Sequence, residues 1–176
     1  PIYDWFNKKA IWIEANPEVI LDLKENVTQF INQKVIQALL SNKDDKMVSF
    51  KISSNDGASS SIFSFGSYNE IHKNIKMVKT INLKTVKFDT VVKNNKININ
   101  EYNFWTIDLQ GSELLALEGA KESLINCKFI YVEVSKKEIY EGGAKWDDLN
   151  DYLLKNNFYL AWEPKETHTD VLYIKK

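Results

Sequence analysis

The sequence predicts an α/β protein in three layers, with a mainly parallel sheet between two layers of helices. Short apolar runs rich in β-branched and aromatic residues, each typical of a buried strand, alternate with segments whose apolar residues recur at helical spacing. The last two predicted strands have no helix between them, which indicates an antiparallel hairpin at one edge of the sheet. The 176 residues, 44% of them hydrophobic, are enough for one domain with a sizeable core. We therefore predict a single domain over residues 1–176.

A strand and a helix open the predicted order. Residues 10–15 are an apolar run that ends at an acid, Glu14, and that is typical of a buried strand. Asn16, Pro17 and Glu18 then give three signals of a helix start: a capping side chain, a proline at the first helical position and an acid in the first turn. The helical spacing of apolar residues continues to about residue 31.

Extended segments dominate the middle of the chain, and strands alternate with helices again after it. The expected strands are residues 34–40, 47–52, 77–87, 104–109, 129–134, 158–162 and 171–174. The expected helices are residues 89–93, 114–124 and 146–153. A small, polar, glycine-containing segment at residues 55–61 is typical of a loop.

Composition excludes several classes of protein. The net charge is −1, so a nucleic-acid binder that relies on bulk positive charge is not expected. All 23 basic residues are lysines, so no anion can be held by a bidentate arginine. No apolar run approaches the roughly 18 residues that span a bilayer, so we expect no membrane partner. The one cysteine, Cys127, fits a reducing, cytoplasmic location and is expected to be a buried small hydrophobe.

Acidic residues mark the ends of three predicted strands: Glu14, Asp108 and Glu133. In open α/β sheets, ligands bind beyond the carboxyl ends of the strands, so these acids are candidates for one site. Glu14 has two interpretations. It is either a carboxylate that accepts hydrogen bonds from the ribose of a nucleoside cofactor, or an acid near a helix that pairs with a lysine.

Asp108, Gly111 and Glu113 form an Asp-x-x-Gly-x-Glu segment at a predicted strand-to-helix turn. In a functional interpretation, Asp108 orients a substrate hydroxyl, helps to remove its proton or holds a metal. In the structural alternative, Glu113 simply lies in the first turn of the helix, where the helix dipole favours an acid.

Other catalytic patterns are absent from the sequence. There is no phosphate-binding Gly-x-Gly-x-x-Gly, which disfavours a Rossmann-like dehydrogenase, and no Gly-x-Ser-x-Gly, which argues against an α/β-hydrolase. No Cys/His spacing of a zinc site occurs, so we predict no metal ligands. His72 and His168 are the only imidazoles. Either could act as a general base, but a polar surface residue is the simpler interpretation of both, and especially of His168.

Four segments of the sequence together resemble a known family. They are residues 12–18 (Trp-Ile-Glu-Ala-Asn-Pro-Glu), 55–62 (Asn-x-Gly-Ala-Ser-Ser-Ser-Ile), 107–120 (Ile-Asp-Leu-Gln-Gly-Ser-Glu-Leu-Leu-Ala-Leu-x-Gly-Ala) and 133–134 (Glu-Val). From about Tyr3 to the C-terminus, the chain resembles the FkbM family of S-adenosylmethionine-dependent methyltransferases. The Asp-x-x-Gly-x-Glu segment with its Leu/Ala helix is the more specific part, because Glu-Ala-Asn-Pro is shared more widely among such enzymes.

The resemblance implies a Rossmann-like class I methyltransferase fold with an antiparallel final strand. It also implies S-adenosylmethionine as cofactor and O-methylation of a hydroxyl on a sugar, a polyketide or a similar small molecule or glycan. Asp108 is the first candidate for removing the proton of that hydroxyl, and His72 is the second. The residues implied on the cofactor side are Glu14 (at the ribose), Ala15, Asn16, Ser41, Asp45, Asp108 and Gly111. Those expected on the acceptor side are Ser59, Ser60, Ser61, Glu113 and Glu133.

One part of the family pattern is missing. The family's first strand and its cofactor-binding turn precede the strand that carries Glu14, whereas here residues 3–9 resemble only the end of the intervening helix. A sheet without that central strand would expose unpaired backbone on two strands. We therefore expect the native domain to have more residues before Pro1. The alternative is a chain that does not bind the cofactor as its relatives do, a non-catalytic Rossmann-like binding or scaffold domain.

Overall fold

Nine β-strands lie in residues 8–176, the part of the chain that this computed structural model describes. In chain order they are β1 (Ala10–Glu14), β2 (Gln33–Gln37), β3 (Leu39–Leu40), β4 (Met47–Ser53), β5 (Met77–Val86), β6 (Phe104–Ile107), β7 (Phe129–Ser135), β8 (Phe158–Leu160) and β9 (His168–Lys175). The α-helices of the same region are α1 (Ile20–Val27), α2 (Tyr68–Ile71), α3 (Phe88–Asn94), α4 (Glu113–Glu118) and α5 (Trp146–Lys155). Two 3-10 helices lie at Ile99–Glu101 and Ser123–Asn126. Strands and helices alternate over much of the chain, which confirms the α/β class.

The strands pair in three groups, and their directions are mixed. β1 runs parallel to β2, and β3 runs parallel to β5, whose other edge pairs antiparallel with β4. β6 runs parallel to β7, while β9 lies between β7 and β8 and is antiparallel to both. Half of these six pairings are antiparallel, so the prediction of a mainly parallel sheet is wrong in its proportions.

The alternating exposure of the β5 side chains is consistent with antiparallel rather than parallel pairing. From Ile81 to Thr85, the side chains of β5 alternate between partly covered and exposed positions, a pattern typical of an antiparallel sheet with one solvated face. Near the C-terminus, β8 and β9 form the predicted antiparallel hairpin, with β8 at the edge of the sheet. β9 itself lies inside the sheet, where Val171 is opposite Val132 of β7.

Two predicted elements near the N-terminus have different bounds. α1 begins at Ile20 rather than at the predicted first helical position, Pro17, because Asn16 Oδ1 accepts the N–H of Glu18 (3.0 Å) and holds the chain in a turn before the helix. The strand predicted over residues 34–40 is interrupted at Ala38. The Ala38 N–H donates to the carbonyl oxygen of Glu14 (2.9 Å), and the chain then leaves β1 to pair with β5 as β3.

The helix predicted over residues 114–124 is also divided, into α4 and the 3-10 helix at Ser123–Asn126. Gly119 follows α4, and a Cβ atom at this position would lie only 2.1 Å from the carbonyl oxygen of Ser41. Glycine therefore permits the segment after β3 to approach the end of α4.

The largest core lies between the β6–β9 sheet and helices α4 and α5. Its most deeply buried side chains are Leu117, Leu124, Ile130, Val132, Leu153, Phe158, Val171 and Tyr173. Cys127 lies in the same core with 1% of its surface exposed, which confirms the prediction of a buried small hydrophobe. Burying one large apolar side chain contributes about 1.5–3 kcal/mol. This core therefore stabilises the end of β6, which precedes Asp108, and the part of β7 that contains Glu133.

A second cluster of buried residues packs against the segment that follows β7. Phe65, Tyr68 and Tyr140 form what we call the aromatic cluster, with ring centroids 4.4 Å apart for Phe65 and Tyr68 and 5.5 Å apart for Tyr68 and Tyr140. The backbone N–H of Gly66 donates to the carbonyl oxygen of Ile139 (2.8 Å). The cluster thereby joins residues 63–68 to residues 138–143.

Among the strands of residues 8–176, β1 pairs with β2 alone, and β6 pairs with β7 alone. The helix end that the family resemblance implies at residues 3–9 falls mainly on residues 1–7, which lie outside the described residues. Within the described part of the chain, no helix has both the length and the apolar composition to cross a membrane.

Candidate active site

A cavity of about 300 Å³ opens where β1 and β6 end. Its walls come from the end of β1, the β2–β3 junction, the loop at residues 56–62 and the turn at residues 108–112. The carboxyl ends of strands are where α/β proteins bind ligands, and this volume lies at the lower end of the range for small-molecule sites.

Glu14 presents a carboxylate to this cavity in a fixed orientation. Its Oε1 accepts the backbone N–H of Asn16 (2.6 Å), and no described residue donates a hydrogen bond to Oε2. Nor does Glu14 form an ion pair with a lysine within residues 8–176, as one interpretation of the sequence required. One oxygen is thus held by the backbone, while the other is available to hydroxyl donors of a ligand.

Asn16 lies behind the wall of the cavity. It is 1% exposed, and its Nδ2 is buried with no hydrogen-bond partner in the described part of the chain. Gly57, which lines the cavity, approaches so closely that a Cβ atom there would lie 2.5 Å from Asn16 Nδ2. Gly57 also has a φ of +80°, so glycine is favoured here for both space and backbone conformation.

The three consecutive serines of the loop all use their hydroxyls within the protein. Ser59 is buried, and its Oγ forms a hydrogen bond with Tyr68 Oη. Ser60 Oγ accepts the backbone N–H of Ser53 (3.1 Å), and Ser61 Oγ donates to the carbonyl oxygen of Gln110 (2.7 Å). Ser60 and Ser61 also line the cavity. The loop is therefore fixed both internally and against the turn after β6.

The turn after β6 combines two left-handed residues with one buried carboxylate. Gln110 (φ +53°) and Gly111 (φ +98°) reverse the chain between β6 and α4. Glu113 Oε1 accepts the N–H groups of Leu109 (2.8 Å) and Gly111 (3.1 Å) from inside the turn. Asp108, at the start of the turn, faces the cavity. Glu113 thus helps to hold the backbone that carries Asp108.

Asp108, Glu113 and Glu133 form a carboxylate cluster in which one oxygen of each lies within 4.8 Å of the others. Burial is the main cause that raises the pKa of Glu113 to about 7. Asp108 is open to the cavity, yet its reduced contact with water, followed by the charge of Glu133, raises its pKa to about 6. The spacing also fits the oxygen ligands of a divalent cation, although the sequence predicted no metal ligands.

His168 lies beside this cluster. Its Nε2 is 3.1 Å from Glu133 Oε1, and the hydrogen bond to Glu133 raises the pKa of the imidazole. The side chain is 27% exposed, so its interpretation as a simple surface histidine is wrong. The pairing of β9 with β7 brings it there, across 35 residues of sequence.

The structure does not bring three of the predicted site residues to the cavity. Ser41 is buried against Gly119, and Asp45 lies exposed in a turn, 3.4 Å from Lys84 Nζ. His72 is exposed, with its ring centroid 4.7 Å from that of Tyr68. The wall expected from residues 41–45 is formed instead by Ala38, Leu39 and Leu40.

Three other predicted residues, Gly111, Glu113 and Glu133, line a separate small pocket of about 20 Å³. Tyr140 and Trp146 complete much of its wall. This is about the space that one water molecule requires. These residues therefore lie next to the cavity, on another side of the turn that carries Asp108.

Sequence reasoning missed Gln110, whose side chain lies within the site. Its Nε2 donates a hydrogen bond to Asp108 Oδ1 and lies 3.5 Å from Glu133 Oε2. Gln110 occupies an unspecified position of the Asp-x-x-Gly-x-Glu segment, so the motif gives no reason to select it. The neighbouring Gly111 was the available signal, because it marks a turn in which the preceding side chain can point back toward the strand end.

An α/β fold with an acid-lined cavity at its strand ends is typical of proteins that bind nucleoside-like ligands. The chain belongs to the FkbM methyltransferase family, since the family model described as "Methyltransferase FkbM domain" matches residues 2–160. It is also similar to the 2-O-methyltransferase NoeI of Sinorhizobium fredii (strain NBRC 101917 / NGR234), with 24% identity over 165 residues. That match covers 90% of this chain but 66% of NoeI, so the chain spans slightly less than two thirds of the relative's length. No solved structure matches the chain.

Proposed function

We propose that this protein is an S-adenosylmethionine-dependent methyltransferase that methylates a hydroxyl of a small molecule or glycan. The observation that carries the proposal is the presence of Glu14 and Asp108 on two walls of one cavity at the strand ends. Family membership supports methyl transfer, and the name of the relative, a 2-O-methyltransferase, supports oxygen as the accepting atom. A Rossmann-like class I arrangement of the strands is part of the same proposal.

The cavity suits a nucleoside cofactor that carries a positive charge. Glu14 Oε2 is available to ribose hydroxyls, and Leu39 and Phe50 supply apolar surface for a base. Asp108 provides negative charge, which favours a sulfonium group. When bound, S-adenosylmethionine would supply an electrophilic methyl carbon and a neutral thioether leaving group. Because this cofactor has no phosphate, a chain without arginine is adequate to hold it.

The residues of the chain then have two tasks: to align the acceptor oxygen and to accept its proton. Asp108 is the proposed general base. With its pKa raised to about 6, the carboxylate is still largely ionised at neutral pH, yet it is a better proton acceptor than an ordinary aspartate. Glu113 supports this residue through the backbone of the turn.

Cofactor binding is tested with a Glu14→Gln variant. Calorimetric titration of the full chain with S-adenosylmethionine should give saturable binding, and the variant should bind about tenfold to a hundredfold more weakly, because hydrogen bonds to a charged carboxylate are lost. Glu18→Gln is the matched control, since Glu18 pairs with Lys79 and does not line the cavity. Absence of binding by the wild-type chain would reject the enzyme interpretation for this chain.

Catalysis is tested with an Asp108→Asn variant. Transfer of labelled methyl groups is measured with a panel of monosaccharides and small alcohols, and the cofactor affinity is measured separately. Turnover should fall by about 10²–10⁴ if the carboxylate accepts the proton. Unchanged turnover would reject the catalytic role of Asp108.

A non-catalytic binding or scaffold domain is the second candidate function. Absence of saturable S-adenosylmethionine binding in the calorimetric titration would support this alternative.

A further inference from the structure

The turn that carries Asp108 is held on two sides by side chains from other segments. On one side, Ser61 Oγ donates to the carbonyl oxygen of Gln110 (2.7 Å). On the other side, the side chain of Tyr140 packs directly on Gly111, where an added Cβ would lie 2.9 Å from Tyr140 Cβ and 3.1 Å from Cγ. The backbone around Gln110 therefore has little freedom to move.

The Gln110 side chain has one orientation that satisfies its neighbours. The hydroxyl of Tyr140 donates to Gln110 Oε1, which can only accept. Gln110 Nε2, which can only donate, then faces Asp108 Oδ1. Burial raises the pKa of Tyr140 well above its usual range, so this hydroxyl stays protonated and remains a donor.

We propose that Tyr140 and Gln110 form a hydrogen-bonded relay that positions the Asp108 carboxylate for methyl transfer. The two act as positioning residues: Tyr140 fixes the direction of the Gln110 amide, and the amide fixes Asp108 Oδ1. Asp108 Oδ2 is then left to contact the acceptor hydroxyl. The functional part of this inference rests on the proposed methyltransferase function, whereas the relay itself is a property of the fold.

Tyr140 is rigid enough to serve this purpose. It is 3% exposed and packs in the aromatic cluster with Phe65 and Tyr68. Tyr68 also forms a hydrogen bond with Ser59, in the loop that forms another wall of the cavity. The aromatic cluster thus contacts both the serine loop and the turn of Asp108, so it sets the position of one relative to the other.

The test uses two nearly isosteric variants and their combination. Tyr140→Phe keeps the ring on Gly111 but removes the hydroxyl, and Gln110→Met keeps the length of the side chain but removes both hydrogen bonds. Tyr152→Phe is the matched control, because it also loses one hydroxyl hydrogen bond, to the carbonyl oxygen of Leu117 on α4 (3.1 Å), but that bond does not involve Gln110 or Asp108. Its thermal unfolding reports the general cost of such a loss.

The first readout does not depend on activity. The side-chain amide signals of Gln110, assigned by their disappearance in Gln110→Met, are followed by ¹⁵N NMR. In Tyr140→Phe, hydrogen exchange at Nε2 should become roughly fivefold faster or more, as expected when one hydrogen bond that orders the amide is lost. In Tyr152→Phe the signals should keep their wild-type positions and exchange rates. Unchanged signals in Tyr140→Phe would overturn the relay.

The second readout is methyl transfer to the acceptor panel. Each single variant should lower turnover about tenfold, with less change in the affinity for S-adenosylmethionine, since a small displacement of a reacting group is costly. The turnover of the double variant should also fall by only about tenfold, because both residues act through one carboxylate. Independent effects would multiply to a loss of turnover of about a hundredfold, and that result would contradict the relay. If the wild-type chain transfers no methyl group, the proposed function fails, and the NMR result alone decides whether the relay exists.

Discussion

Replacing Glu113 with glutamine is expected to stabilise the protein at neutral and alkaline pH and to leave its stability unchanged in acid. Glu113 is 4% exposed, and its Oε1 accepts the N–H groups of Leu109 and Gly111. The amide oxygen of a glutamine can accept the same two bonds. The substitution therefore removes the buried negative charge while keeping the hydrogen bonds that hold the turn.

The magnitude follows from the pKa of Glu113, which rises from 4.5 to about 7 in the folded protein. Between these two values, the folded protein keeps a proton that the unfolded chain has released. The free energy of unfolding of the wild type therefore falls as pH rises from about 4.5 to about 7, and the loss persists above that range. At about 1.4 kcal/mol per pH unit, this loss is about 3 kcal/mol.

Urea unfolding of both proteins at about pH 4, 6 and 8 measures this difference. The two free energies of unfolding should agree near pH 4 and should differ by about 3 kcal/mol near pH 8, with the variant more stable. Glu122→Gln is the control. Because Glu122 is exposed, the free energy of unfolding of this variant should change with pH as it does in the wild type. A Glu113→Gln protein that is less stable than the wild type near pH 8 would refute the reasoning, because it would show that the ionised carboxylate stabilises the turn.

Backbone geometry and His72 give two further predictions. Gly57→Ala should lower the free energy of unfolding by about 1–3 kcal/mol more than Gly142→Ala does. Both glycines have φ near +80°, but the new Cβ would lie 2.5 Å from Asn16 Nδ2 at Gly57 and 3.6 Å from the nearest Phe63 atom at Gly142. Equal losses of stability in urea unfolding would show that Asn16 moves aside freely. His72→Gln should leave the turnover of methyl transfer unchanged, because the imidazole is exposed and is not among the residues that line the cavity. A loss of turnover near the hundredfold expected for a general base would instead assign His72 to catalysis.

Local signals in the sequence were sufficient to predict the order of most elements and two acids of the site. The apolar runs before Glu14 and Asp108 end in polar, turn-forming residues, and that pattern needs no knowledge of the rest of the fold. The same reasoning failed at Ala38, where the chain leaves β1 and next pairs with β5 as β3. This change of partner depends on strands far apart in sequence, so no local pattern could indicate it.

The surroundings of the carboxylate cluster were not predictable for a related reason. His168 reaches Glu133 through the antiparallel pairing of β7 and β9, and Tyr140 reaches Gln110 because residues 138–143 dock on residues 63–68. Both contacts depend on which segments meet in space. A single histidine or tyrosine in the sequence has no spacing from its partner that would distinguish it from a surface residue.

β9 lies in the interior of its sheet, so the sheet is unfinished while the ribosome is still making residues 168–175. During that interval β7 has β6 on one side, but its other edge has no partner, and Val132 and Phe158 lack the core neighbours Val171 and Tyr173. An open apolar strand of this kind can pair with another nascent chain. A translation stop shortly before β9 is therefore expected to release an aggregation-prone polypeptide, so the yield of folded protein depends on completing this last strand.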